Sequence, residues 1–218
     1  MYYQLGLRDD RLDSSNLSLE TSMQKEVLIK TDGEVILYPF FFSSTESDQL
    51  FLDLNDSVKW KQDIIHLFGK TMPLPRLTAW YGDEGKSYTY SGIEQHPEPW
   101  NPTLTSIKSK VEEISEVTFN SVLINLYRNG KDSVSWHSDD EPELGKNPII
   151  ASVSFGATRR FSLKHKTSKK DKVDIDLPNG SLLLMKGETQ HYWQHQIPKN
   201  YKLLDRRINL TFRVIKAV

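Results

Sequence analysis

Alternating apolar and polar positions dominate the second half of the chain. Short β-type segments, separated by Gly, Pro, Asn and Lys clusters, occur at SVLINLY, PIIASVSFG, RRFSLKH, KVDIDLP, GSLLLMK and RINLTFRVI. Because no helical pattern lies between them, they favour antiparallel pairing over parallel βαβ units. The pattern therefore predicts an antiparallel barrel or jelly roll.

Two helices and one strand are predicted ahead of these segments. The run EVILYPFFF from Glu34 is rich in β-forming residues, and Ser43 followed by Glu46 is a capping-box pattern. Asn101 and Pro102 place a cap residue and a proline at a helix start, and apolar residues then recur at helical spacing from position 104 to 114. We expect these helices to back the sheet.

The chain has 218 residues, which fits one domain with an N-terminal extension. Residues 1–30 are polar and show neither strand nor helix periodicity, so they are predicted to be an extension. Residues 31–218 are predicted to form a single domain. We find no internal repeat.

Composition narrows the class of protein. Hydrophobic residues make up 37%, charged residues 26%, and the mean hydropathy is -0.54, the profile of a soluble protein. With neither a membrane-length apolar run nor a signal-peptide pattern, we expect a cytoplasmic location, nuclear in a eukaryote, and no membrane partner. Because there is no cysteine, any metal must be held by His, Asp or Glu.

A candidate metal site begins at Trp136-His137-Ser138-Asp139. Residues two apart on an extended strand share a face, so His137 and Asp139 can hold one ion. With a second histidine, His191 or His195, they would form the two-histidine, one-carboxylate set typical of non-haem Fe(II) oxygenases. A hydrogen-bonded surface pair is the commoner role of such a motif.

The C-terminal strand has one polar and one apolar face. If the apolar face packs on a core, its polar residues point inward, where buried guanidinium groups need an anion such as a dicarboxylate. The strand at 122–127 presents further donors on one face. A solvent-exposed face with arginines bridging surface acids is the alternative. The candidate residues are Arg207, Asn209, Thr211, Arg213, Asn125 and Tyr127.

Several motifs occur together in a characteristic order. They are MPLPRLTAWYGD, YTYSG, NLY at 125–127, WHSDDE at 136–141, ASVSFGATRRF, GSLLLM, HQIP at 195–198 and RRINLTFR at 206–213. Over about residues 34–215, the identity and spacing of these motifs resemble those of the AlkB family of Fe(II)- and 2-oxoglutarate-dependent dioxygenases. The resemblance is greatest to the branch of human AlkB homologues two and three.

The resemblance implies a fold, a site and a reaction. The fold is α+β, mainly β, with a double-stranded β-helix (jelly-roll) core and supporting helices on one side. The iron ligands are His137, Asp139 and His195; His195 is preferred over His191 because the family's distal histidine precedes a hydrophobic-Pro step, here Ile197-Pro198. The implied 2-oxoglutarate contacts are Asn125, Tyr127, Arg207, Asn209 and Arg213.

The implied activity is oxidative demethylation of N-alkylated bases, such as 1-methyladenine and 3-methylcytosine, in DNA alkylation repair. It uses Fe(II), O2 and 2-oxoglutarate and releases succinate, CO2 and formaldehyde. A damaged base has to be flipped out of a duplex to reach such a site. The family's base-contacting positions correspond to Tyr88, Tyr90, Ser91 and Glu141, and its wedge to Phe68. Plain strand tyrosines and a core phenylalanine are the alternatives.

A local basic segment is the candidate nucleic-acid contact. Residues 159–172 contain seven Lys or Arg residues and one acid, although the net charge of the chain is -1. A solvated hairpin tip is the alternative reading. The loop looks shorter than in the human duplex-repair relative, which leaves strand preference open. The candidates are Lys164, Lys166, Lys169, Lys170 and Lys172.

Competing functions stay open at this point. An oxygenase that acts on RNA, a protein or a small molecule would use the same metal and cosubstrate. A jelly-roll binding module without catalytic activity is a further alternative, but it would not need an intact His-Asp-His set. A zinc hydrolase would not need the arginine-rich strand. We expect a monomer that acts on methylated DNA, with RNA as the second candidate.

Overall fold

The computed structural model describes residues 24–67, 70–85, 88–90 and 93–216, with backbone alone at 66, 67, 70, 88–90 and 93–95. Its helices are α1 Ser44–Ser57, α2 Pro102–Ser115 and the single turn α3 Thr189–Tyr192, with a 3-10 helix at Pro142–Leu144. Its strands are β1 Glu26–Ile29, β2 Glu34–Tyr38, β3 Ile64–Leu67, β4 Lys70–Pro73, β5 Leu77–Gly82, β6 Tyr88–Tyr90, β7 Ile93–Gln95, β8 Ser121–Tyr127, β9 Val134–His137, β10 Ile150–Gly156, β11 Arg159–His165, β12 Lys172–Leu177, β13 Ser181–Lys186, β14 Trp193–Ile197 and β15 Arg207–Arg213.

Two antiparallel sheets form the core of the fold. The larger has the order β1-β2-β13-β10-β15-β8-β5, and the smaller has the order β12-β11-β14-β9. Strands that are neighbours in these sheets are often distant in sequence, as in the β10 and β15 pair. The predicted jelly roll with antiparallel strands is confirmed.

The two faces of the larger sheet bury different side chains. In β2, Ile36 and Tyr38 join a core cluster with α1 and α2, whereas Val35 and Leu37 join a second cluster with Phe161 and Leu163 of the smaller sheet. This is the period-two alternation of a strand buried on both sides. The helices therefore cover one face of the larger sheet, as predicted, and the smaller sheet covers the other.

Both predicted helix starts are confirmed. The Ser43 side chain accepts a hydrogen bond from the Glu46 backbone N–H, and the Asn101 side chain accepts one from Leu104. In α2 the buried residues include Leu104, Ile107 and Val111, the apolar positions that the spacing indicated.

Two sequence-based boundaries need correction. The strand predicted through EVILYPFFF ends at Tyr38, because Pro39 has no N–H to extend the ladder. The predicted extension 1–30 overlaps β1, whose residues pair with β2, so the sheet begins before residue 31. Residues 1–23 lie outside the described part, and the single-domain organisation stays a prediction.

Within the described residues, no helix has both the length and the apolar content that crossing a membrane requires.

Candidate active site

Two histidines face each other across neighbouring strands of the smaller sheet. The register of β14 and β9 pairs His195 with His137, and their ring centroids are 4.2 Å apart. His137 Nδ1 lies 2.8 Å from the Ser135 carbonyl, to which it must donate, so Nε2 is the ring nitrogen left for a metal ion. His195 is buried and stacks on Phe161 at a ring distance of 5.2 Å.

Asp139 completes a cluster with these histidines. One potential ligand atom from each of His137, Asp139 and His195 lies within 4.8 Å of the other two. The Asp139 side chain is buried, its Oδ2 accepts a hydrogen bond of 2.9 Å from Arg213 Nη2, and its backbone N–H donates to Gln190 Oε1 at 2.9 Å. An ordinary exposed His-x-Asp pair would not be enclosed in this way.

The position of Asp139 differs from the sequence prediction. We expected His137 and Asp139 on one face of a continuous strand, but β9 ends at His137 and Asp139 lies in the loop that follows. The loop is fixed by the Gln190 side chain and by the Ser138 hydroxyl, which donates to the Trp193 carbonyl at 2.9 Å. The two side chains therefore converge through a loop contact.

The electrostatics keep Asp139 and His195 in the forms that bind a cation. Burial alone would raise the pKa of Asp139, but the positive charge of Arg213, which also donates a hydrogen bond to this carboxylate, holds that pKa well below its usual value. Burial lowers the pKa of His195 to about 3, so its imidazole is neutral at physiological pH. A carboxylate and a neutral imidazole are the forms that bind metals.

The other candidate histidine lies elsewhere. His191 is exposed on α3, outside the cluster. The His-Asp-His set formed by the described residues contains His195 instead.

A polar face of the larger sheet lies beside this cluster. In β15, Arg207, Asn209 and Thr211 are buried with their side chains in the cavity between the sheets, while Ile208, Leu210 and Phe212 pack toward the helices. The same cavity is lined by His137, Asp139, His195, Asn125, Tyr127 and Arg213. The predicted inward-facing polar surface is therefore present, and the exposed-strand alternative is wrong.

Arg207 is a buried cation with spare hydrogen-bond donors. It is 1% exposed, and its Nη2 donates to Ser154 Oγ at 2.9 Å. Its Nε and Nη1 are buried and have no hydrogen-bond partner among the described residues. Burial lowers the pKa of Arg207 to about 10, so it remains charged at neutral pH. A buried guanidinium with two unused donors fits a carboxylate ligand.

Asparagines on neighbouring strands complete this wall. Asn209 donates to Ser152 Oγ at 2.8 Å and to the Val153 carbonyl at 2.9 Å. Asn125 lies opposite Asn209 in the β8 and β15 register and accepts a hydrogen bond of 2.7 Å from Arg76 Nε. These bonds hold the polar groups in fixed orientations around the cavity.

The predicted substrate contacts are described only in part. Phe68 and Ser91 lie outside the described residues, and Tyr88 and Tyr90 are described as backbone in β6, paired with β7. Glu141 precedes the 3-10 helix, and its buried Oε2 has no hydrogen-bond partner among the described residues. Burial, with the charge of Asp139, raises the pKa of the Glu141 carboxyl.

The basic segment forms a hairpin between β11 and β12. Its tip carries Lys169 and Lys170, both exposed, and Lys172 pairs with Asp174 at 2.8 Å. Lys166 donates to the Gln190 carbonyl at 2.9 Å, and Lys164 lies 4.4 Å from the centroid of the Trp136 ring. The tip lysines are thus free to meet solvent, whereas the other three contact the protein.

Sequence reasoning missed several residues of the cavity. Arg76, Ser152 and Phe161 line it, and Ser154 and Gln190 support its walls. The alternation of serines with Val153 and Phe155 in ASVSFG was a usable signal, because it gives β10 a polar face next to β15. No local pattern marks Arg76 or Gln190, since each acts through a distant partner.

A family comparison agrees with this geometry. Residues 34–213 match the model of the 2OG-Fe(II) oxygenase superfamily. The human alkB homolog 3 alpha-ketoglutarate-dependent dioxygenase is 48% identical over 192 residues, which is 84% of this chain and 66% of that protein. The human DNA oxidative demethylase ALKBH2 is 40% identical over 197 residues, 86% of this chain and 76% of that protein.

A solved structure shares the fold. OsALKBH1 is similar at a TM-score of 0.57 and 17% identity, covering 83% of this chain and 96% of that one. The chain belongs to the 2OG-Fe(II) oxygenase superfamily, among its AlkB homologues. The predicted use of Fe(II), 2-oxoglutarate and O2 is thereby confirmed. The chain spans slightly less than two thirds of the length of the alkB homolog 3 proteins.

Proposed function

We propose that this protein demethylates N-alkylated nucleic-acid bases by oxidation. The observation that carries the proposal is that one cavity is lined both by a His-Asp-His cluster and by a buried guanidinium, that of Arg207, with two hydrogen-bond donors that have no partner among the described residues. The names of two relatives, a DNA oxidative demethylase and an alpha-ketoglutarate-dependent dioxygenase, support the choice of reaction.

In this proposal His137, Asp139 and His195 would hold Fe(II). When bound, iron supplies, with 2-oxoglutarate and O2, the oxidising chemistry that hydroxylates a methyl carbon on the base nitrogen. The protein's own contribution is geometry. Arg213 and Gln190 hold Asp139 by its carboxylate and backbone, and the Ser135 carbonyl orients His137.

The same proposal assigns 2-oxoglutarate to the polar wall beside the cluster. Arg207 would pair with the carboxylate remote from the metal, using the two donors that lack protein partners. Tyr127, Asn125 and Asn209 would complete that contact. Arg213, which already donates to Asp139, would position the end nearest the metal.

Substrate contacts are assigned to three groups around the mouth of the site. Tyr88, Tyr90 and Ser91 would hold the flipped base, with Tyr90 stacking on it, and Glu141 would contact the base edge. Its Oε2 is buried and has no hydrogen-bond partner among the described residues, so it is available for such a contact. Phe68 would fill the gap left in the duplex, and the phosphate contacts would come from Lys169, Lys170 and Lys172.

The product follows from the chemistry of the hydroxylated methyl group. An N-hydroxymethyl group loses formaldehyde and restores the base N–H or ring nitrogen, so no leaving group has to be bound by the protein. 1-Methyladenine and 3-methylcytosine are the proposed lesions.

Incubation with methylated oligonucleotides tests the function directly. The chain, Fe(II) and 2-oxoglutarate are mixed with single- and double-stranded DNA, and with RNA, carrying one methylated base, and the products are weighed by mass spectrometry. We expect loss of one CH2 together with formaldehyde and succinate, and no loss with His137→Ala. Succinate without any change in the nucleic acids would favour a protein or small-molecule substrate instead.

We also propose that the protein acts as a monomer, since the metal cluster and the polar wall come from one chain. Analytical ultracentrifugation checks this. A cytoplasmic location, or a nuclear one in a eukaryote, is proposed because the substrates would be nucleic acids, and imaging of the tagged chain tests it.

A further inference from the structure

Arg159 is a second buried guanidinium next to the polar wall. It opens β11, is 2% exposed, and is among the largest fully buried side chains. Its Nη2 donates to the Asp132 carbonyl at 2.9 Å and to the Pro198 carbonyl at 2.8 Å, and its Nη1 donates to the Asn129 carbonyl at 3.3 Å. Its hydrogen bonds therefore go to neutral acceptors.

Within the described residues the charge of Arg159 is offset only in part, by the nearby Asp132 carboxylate. No carboxylate there forms an ion pair with it, and the nearby Asp132 carboxylate accepts hydrogen bonds from Arg128 at 2.8 and 2.9 Å. A buried cation that forms no ion pair is costly, and an anion that binds close to it would lower that cost.

Arg159 and Arg207 share one aromatic ring. The guanidinium carbon of Arg159 lies 5.3 Å from the centroid of Tyr127, and that of Arg207 lies 5.2 Å from the same centroid. Both distances are within the range of a cation–π contact. Burial comes first among the causes that lower the pKa of Arg207, and the charge of Arg159 contributes to the same effect. The two cations therefore influence each other across a small, water-poor region.

We propose that Arg159 is a positioning residue that selects a dicarboxylate cosubstrate. It supplies a second positive charge behind Tyr127, where Arg207 meets the carboxylate remote from the metal, and its cation–π contact fixes the Tyr127 ring. It does not touch the ligand. The inference rests on the proposed assignment of Arg207 and Tyr127 to that carboxylate.

The proposal makes a prediction about ligand charge. Removing the charge of Arg159 should weaken the binding of 2-oxoglutarate, which has two carboxylates. It should leave unchanged the binding of 2-oxopentanoate, which has the same carbon skeleton but only one carboxylate. For a unit charge several Å away at an effective dielectric of about 20, the loss should be about tenfold or more. A purely structural role in joining the loops at Asn129 and Pro198 would weaken both acids alike.

Calorimetric titration of the Mn(II)-loaded chain with each acid is the test, because it reads binding without turnover. Arg159→Met should raise the Kd for 2-oxoglutarate about tenfold or more and should leave the Kd for 2-oxopentanoate unchanged. The matched control is Arg160→Met, which removes an exposed arginine paired with Asp176 and should change neither Kd. Equal weakening of both acids, or of neither, by Arg159→Met overturns the proposal.

Arg159→Lys keeps the test decisive if the Met variant fails to fold. The ammonium retains the unit charge but cannot reproduce the fork of carbonyl bonds, so the Kd for 2-oxoglutarate should stay within about threefold. If Arg159→Lys instead raises the Kd for 2-oxoglutarate as much as Arg159→Met is expected to, the electrostatic role of Arg159 is overturned. Arg207→Met is measured alongside. If it leaves both Kd values unchanged, the assignment of Arg207 fails, which is a result distinct from failure at Arg159.

Discussion

Gln190 offers the most direct test of how the metal cluster is held. Its side chain is 1% exposed, and its amide oxygen accepts the backbone N–H of Asp139 at 2.9 Å. Gln190→Leu keeps a similar volume but removes that acceptor. We expect the Asp139 loop to loosen, because a buried N–H without a partner is unfavourable.

The expected magnitude follows from these contacts. An unsatisfied buried donor costs about 1–3 kcal/mol of stability, and for a chain of this length each kcal/mol lowers Tm by roughly 2–4 °C. Metal affinity should fall about 10- to 100-fold, the usual effect of removing a group that orients a ligand. The two effects are separable, since stability is measured without metal.

The assay pairs urea unfolding of the metal-free chain with competition for Mn(II) against a fluorescent chelator. Gln194→Leu is the matched control, since Gln194 is a half-buried residue on the same strand as His195. It should leave the metal affinity unchanged. If Gln190→Leu binds Mn(II) as tightly as the unmodified chain, the hydrogen bond to Asp139 does not position that ligand.

Three further outcomes are expected. His191→Ala should leave Mn(II) binding intact while His195→Ala abolishes it; the reverse pattern would overturn the ligand assignment. Burial alone would raise the pKa of Asp132, but the hydrogen bonds that its carboxylate accepts from Arg128 hold that pKa below the usual 3.8. The carboxylate therefore contributes stability at pH values above 3.8, and this contribution is lost as the pH falls through the folded-state pKa. Asp132→Asn should therefore lower the free energy of unfolding by about 1–3 kcal/mol at neutral pH and by progressively less as the pH falls through the folded-state pKa. A loss that does not change with pH would contradict the reasoning. Replacing the hairpin lysines should flatten the dependence of log affinity for single-stranded DNA on log salt by about 0.7 per phosphate contact, whereas Tyr90→Ala should lower the single-turnover rate without changing that slope. The lysines replaced together are Lys169, Lys170 and Lys172, and an unchanged slope would make the hairpin a solvated tip.

Local sequence patterns determined the elements of this fold. The capping residues Ser43 and Asn101 mark both long helices because an N-cap needs only an acceptor side chain and a helical run after it. The alternation from Arg207 to Arg213 determined which side chains share a face, since strand periodicity is a property of the backbone. The motif resemblance then indicated the superfamily and the His-Asp-His cluster that the described residues form.

Partners distant in sequence were decided only by the tertiary structure. His137 meets His195 through strand register, Asp139 turns inward because Gln190 accepts its N–H, and Arg159 reaches Tyr127 from another sheet. Such pairings depend on which buried surfaces pack together. The periodicity of apolar residues along a strand (two) or a helix (3.6) does not specify which surfaces those are. The sequence alone therefore specified which faces are polar, and tertiary packing decided which polar groups meet on them and which stay charged without a partner.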